Sequence, residues 1–112
     1  MRMWMVDPRG MCREHLLGEH GELHKFLHNW IRQHSIVGRV AGNAMEPMAY
    51  KARHDALAAE MLRRGFKHAS ILEQPDFSYL PEVYRFYRVD VDANLALLHE
   101  RCPQCKEMSH GS

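Results

Sequence analysis

Apolar residues recur at helical spacing along most of the chain. Leu16, Leu23, Leu27, Trp30 and Ile31, with Phe26 widening the stripe, predict a first helix from about Met11 to about His34. Gly38, Gly42 and Asn43 mark residues 35–45 as a loop. Pro47 suits the first turn of a second helix, from about Glu46 to Arg64. Its apolar face carries Met48, Leu57, Met61 and Leu62, and Gly65 is a natural C-terminal cap. Residues 66–89 hold Pro75, Pro81 and the aromatics Phe77, Tyr79, Tyr84, Phe86 and Tyr87, and read as irregular with a short helical turn at 81–87. Asp90 or Asp92 caps a third helix bearing Val91, Leu95, Leu97 and Leu98, which ends at Cys102-Pro103-Gln104-Cys105. The pattern predicts a small all-α domain over residues 1–108, of about three helices with an extended N-terminal segment. Residues 109–112 are expected to form a disordered tail.

The 112 residues suffice for one domain with a small core. Hydrophobic residues make up 46% and charged residues 26%, the usual balance of a globular protein, and no apolar run approaches a membrane span. The start, Met1 to Pro8, is too short and too soon charged for a signal peptide, so a cytoplasmic protein is expected; a monomer with no membrane partner is expected as well. The net charge of +1 is low for a dedicated DNA binder, but nine histidines add positive charge when protonated.

The chemistry concentrates on the first helix. At about 100° per residue, Glu22 shares a surface with His15, Gly18, Lys25 and Asn29, beside the apolar stripe. By itself this is also what an ordinary solvated face with a Glu22–Lys25 pair looks like. Gly18 and Gly21 each cost the helix roughly 1 kcal/mol relative to alanine, which suggests close approach by something outside it.

Two segments change the picture. His15-Leu16-Leu17-Gly18-Glu19-His20-Gly21-Glu22-Leu23, and Arg53-His54-Asp55-Ala56-Leu57 running on to Phe66, resemble the pyrimidine-dimer DNA glycosylase family, the endonuclease V type of phage. Gly21 departs from the pattern, standing where the phage enzyme has arginine. The resemblance implies a DNA glycosylase and AP lyase of all-α fold whose nucleophile is the N-terminal α-amine. It places the family's catalytic glutamate on Glu22 and the nucleophile on Met1, which Arg2 protects from removal because it is too bulky for normal methionine excision. It implies no cofactor. The expected partner is double-stranded DNA carrying a damaged or abasic site, held by Arg2, Arg13, His15, Lys25, Arg32 and Arg53. An α-amine is well matched to imine chemistry at neutral pH. With a pKa of about 7.7–8.0 it is roughly a tenth or more neutral at pH 7, whereas a lysine is less than about 0.1% neutral.

Two further groups stand apart. His20, His24 and His28, spaced by four, form a column on another side of the first helix; such a pair can bind zinc, but the column is read as a phosphate-facing or partly packed edge. Cys102-Pro103-Gln104-Cys105 is half of a zinc knuckle; Cys12, with His15 or His110, can complete it. The plain alternative is a pair of exposed reduced thiols near a frayed end, and no metal is assigned to the reaction. A zinc-stapled helical module that binds nucleic acid or protein without catalysis is therefore the second reading.

Overall fold

Helix α1 (Arg13–Ile31) is the spine of the molecule, and α3 (Tyr50–Arg63) packs along it. The computed structural model describes residues 2–31, 37–67 and 71–111. Between the two long helices lies a short α2 (Val37–Ala41); after them come α4 (Glu82–Arg85), α5 (Val91–Arg101) and α6 (Pro103–Gly111). Short 3-10 turns at Pro8–Gly10 and Pro47–Ala49 precede α1 and α3. Among the described residues there is no strand, and no helix is long and apolar enough to cross a membrane.

The all-α expectation holds, and among the described residues six α-helices take the place of three. Leu16 and Leu23 of α1, Leu57 and Met61 of α3 and Leu98 of α5 meet in one core with Met3, Val6, Met11, Val40, Tyr50 and Phe77. Burying each large side chain contributes about 1.5–3 kcal/mol. Asp90 caps α5 as expected, accepting from the Ala93 N–H at 3.1 Å. Gly65 follows α3 at φ +87°, a left-handed conformation that favours glycine.

Four expectations are corrected. Met48, Leu62 and Val91 are exposed at 52%, 57% and 40%. Leu62 is rotated about 100° from Met61, which carries it off the buried face. Val37–Ala41, read as loop, forms one short helix before Gly42. The chain does not stop at Cys102-Pro103. Proline lacks an N–H and is well suited to a helix's first position, so Pro103 opens α6 instead of closing α5. The expected disordered tail is helical through Gly111, and Ser109 Oγ bonds the Cys105 and Gly10 carbonyls at 2.9 and 3.3 Å.

The amino-terminal segment is threaded through the fold. The Met3 N–H donates to the Ala44 carbonyl at 2.7 Å. Asn94, buried on α5, donates to the carbonyls of Trp4 and Asn43 at 3.1 Å and of Met3 at 3.3 Å. Met5 takes φ +60°, a conformation uncommon for a residue with a side chain, between buried Trp4 and buried Val6.

Candidate active site

The amino-terminal segment and α1 meet around a cavity of about 400 Å³ lined by Arg2, Trp4, His15, Gly18, Glu22 and Arg101, with Glu14 and Glu19 completing the wall. Helical spacing places His15, Gly18 and Glu22 on one side of α1, and threading brings Arg2 and Trp4 to face them. Glu22 is half-buried. An added Cβ at Gly18 meets nothing within 4 Å, so α1 offers bare backbone to the cavity.

The wall opposite α1 is held firmly. Arg2 Nη1 donates to Asn94 Oδ1 at 2.9 Å, with longer contacts to the carbonyls of Gly42 and Asn43. Its guanidinium lies 5.4 Å from the centre of the Trp4 ring. The Trp4 and His15 rings meet edge to face at 6.2 Å. These contacts set a cation against two rings in the cavity wall.

Of the residues expected to act, Arg2, His15 and Glu22 come together here. Arg13 lies on a neighbouring cleft with Cys12 and Gln104, its guanidinium 5.5 Å from the Phe66 ring centre. Lys25 is exposed beside Phe26 and away from the cavity lining. Met1 and Arg32 lie outside the described residues.

Arg53 is a correction. Expected on DNA phosphates, it is 5% exposed, and its guanidinium is taken up inside the protein. Nε and Nη2 donate to Glu19 at 2.6 and 2.9 Å, and Nη1 donates to the Val6 carbonyl at 2.6 Å. Burial pushes the Glu19 carboxyl above the ordinary range, against the pull of Arg53. Lining the cavity, Glu19 is thus tied to its arginine, and Glu22 is the neighbouring carboxyl on the same helix.

Sequence pattern does not single out Trp4, Arg101 or Asn94. Arg101 closes α5 and Asn94 sits within it, so only the return of α5 onto the amino-terminal segment brings them to the site. No local signal marks either residue.

Two further clusters involve residues of α1 or its first turn. His20, His24 and His54 pack ring to ring with centroids 4.7–4.8 Å apart, and His24 and His54 share an Nε2···Nε2 hydrogen bond of 2.9 Å. This agrees with a packed edge for His20 and His24; the side chain of His28 lies outside those described. Cys12, His15, Cys102 and Cys105 also converge, and all three cysteines are buried and reduced rather than exposed at a frayed end. The side chain of His110 is outside the described set.

A family model described as pyrimidine dimer DNA glycosylase matches residues 1–74, about two thirds of the chain. The chain belongs to the pyrimidine dimer DNA glycosylase family. Membership makes DNA the substrate class and base excision the family activity. The matched region contains the amino-terminal segment, α1 to α3 and every cavity residue except Arg101, so the family's share of the chain coincides with the site. No curated protein and no solved structure shows significant similarity to the chain.

Proposed function

We propose that this protein is a bifunctional DNA glycosylase and AP lyase in which the α-amine of Met1 is the nucleophile and Glu22 the acid–base group. The observation that carries the reading is the shared cavity. Arg2, one peptide bond from Met1, and Trp4 line it together with Glu22 and the bare backbone at Gly18.

In this mechanism the neutral amine attacks C1′ of the damaged nucleotide as the bond to the base breaks and the base leaves. Glu22 takes the proton released by the amine and gives it to the sugar oxygen as the ring opens, leaving an imine between enzyme and sugar. Its carboxylate also stabilises the positive charge that develops on the sugar. The same group then accepts a C2′ proton, the 3′ phosphate departs, and the strand is cut. C1′ of a stacked nucleotide is closed to an amine on a helical surface, so the duplex must kink and a nucleotide must leave the stack. Arg2 and Arg101 at the cavity, with Arg13 and Lys25 further out, are the cations that hold the phosphates; Arg53 is withdrawn from that set.

Pyrimidine dimers are the family substrate, and strand-cleavage products on dimer-bearing and abasic duplexes test the activity. The reading expects base loss and a β-elimination end on the dimer duplex, and β-elimination alone on the abasic one. Absence of cleavage on both overturns it. The second reading, a zinc-held binding module without catalysis, is favoured by the cysteine cluster and predicts that result together with DNA or protein binding.

A further inference from the structure

We propose that Cys12, His15, Cys102 and Cys105 bind one zinc ion that staples the carboxy-terminal helices to the start of α1. One ligand atom from each residue lies within 4.8 Å of all the others. Cys12 Sγ is 3.7 Å from Cys102 Sγ and 3.2 Å from His15 Nδ1. A tetrahedral zinc with Zn–S of about 2.3 Å and Zn–N of about 2.0–2.1 Å separates its ligands by about 3.8 Å between sulfurs and about 3.6 Å between sulfur and nitrogen. The two Cys12 separations match these values to within a few tenths of an ångström, and every other pair lies within about 1 Å of them. A disulfide needs about 2.05 Å between sulfurs, far from what is found.

The surroundings suit thiolates. Three backbone N–H groups point at the sulfurs: Cys12 at Cys105 Sγ at 3.2 Å, His15 at Cys12 Sγ at 3.4 Å, and Cys105 at Cys102 Sγ at 3.4 Å. Hydrogen bonds of this kind orient and stabilise metal-bound sulfur. The Cys12–His15 pair comes from the first turn of α1, where Cys12 sulfur serves as the cap, and the Cys102–Cys105 pair spans the α5–α6 junction. On binding, the three thiol protons pass to solvent, and the four protein ligands leave zinc no open position, which marks a structural site.

The staple bears on the cavity without entering its chemistry. His15 belongs to both, its ring against Trp4 and its Nδ1 beside Cys12. Ligation through Nδ1 fixes that ring as a wall of the cavity. It also fixes the end of α5, which brings Arg101 to the site. Residues 12 and 105 are far apart in sequence, so the ion closes a loop spanning most of the chain, where a cross-link limits the unfolded state most.

The test is metal analysis of the protein prepared without a histidine tag or chelator, followed by replacement with cobalt(II). One zinc per chain is expected, and the cobalt form should show intense sulfur-to-metal charge-transfer absorption with tetrahedral visible bands. Cys105→Ser should lose the metal, and His54→Gln should keep it. Because Cys105→Ser can fail to fold, the wild-type cobalt spectrum decides by itself. Protein that holds no zinc and takes up no cobalt overturns the proposal. So does cobalt bound without the charge-transfer band, which places the ion at His20, His24 and His54, or an intact mass showing a disulfide. These readouts are independent of base excision, so either claim can fail alone.

Discussion

Glu19 and Arg53 are joined across the α1–α3 interface by two hydrogen bonds of 2.6 and 2.9 Å, with both side chains almost sealed from water. The same guanidinium holds the Val6 carbonyl, so one ion pair fixes two helices and the amino-terminal segment. Arg53→Met leaves a buried carboxylate without its cation and is expected to cost about 3–5 kcal/mol, a large share of the roughly 5–15 kcal/mol of a small domain. Adding Glu19→Leu should restore most of that loss. Chemical denaturation of the two variants checks it. An Arg53→Met protein of unchanged stability but weaker, less salt-sensitive DNA binding would return Arg53 to the phosphates.

Glu60 sets an acid limit. The hydrogen bond from Arg63 holds its carboxyl below the ordinary range; burial opposes this and Arg64 adds to it. A carboxyl whose pKa is lower folded than unfolded contributes stability that is complete above the unfolded value of about 4.3 and is lost as pH falls through the folded one. Burial gives Glu19 the opposite sign. The stability gap between wild type and Glu60→Gln should therefore be widest near neutral pH and narrow below about pH 4.3. A gap independent of pH in urea titrations contradicts the assignment.

Gly18 and Gly21 separate helix propensity from ligand approach. Beyond the neighbouring backbone of its own helix, neither has a protein atom within 4 Å of an added Cβ, but Gly18 lines the cavity. Both alanine variants should gain up to about 1 kcal/mol of stability. Gly18→Ala alone should lose affinity for abasic duplex, because its methyl stands where the DNA comes close. Equal binding by the two variants, measured by titration, removes the glycine from the site.

Glu22→Gln keeps size and helix propensity and should bind DNA as before. Its base excision rate should fall by about 10²–10⁴-fold, the contribution of a positioned acid–base group. Single-turnover kinetics on lesion duplex report it, and an unchanged rate returns Glu22 to an ordinary surface.

Local pattern carries the parts of this fold that local physics decides. The spacing of Leu16, Leu23, Leu57 and Leu98 marks the buried faces, and Asp90 and Gly65 mark helix ends, because periodicity and capping act within a few residues. Arg53 is legible only as a cation; its partner Glu19 lies 34 residues away, and nothing short-range distinguishes a buried arginine from a solvated one. Pro103 illustrates a different ambiguity, since proline both follows helices and starts them. For the site, the α1 residues His15, Gly18 and Glu22 can be grouped from their spacing. Arg101, which lines the cavity, and Asn94, which holds Arg2, cannot, because only the closure of α5 onto residues 2–4 brings them there.

Borohydride trapping on abasic duplex captures the imine itself, on whichever amine forms it. Free protein should be captured as a covalent protein–DNA complex, and peptide mapping should place the sugar on the α-amine of Met1. Acetylation confined to that amine, or an uncleaved N-terminal tag, should abolish capture while leaving the fold intact. Equal trapping by blocked and free protein, or a map that places the adduct on a lysine, rules out Met1 as the nucleophile.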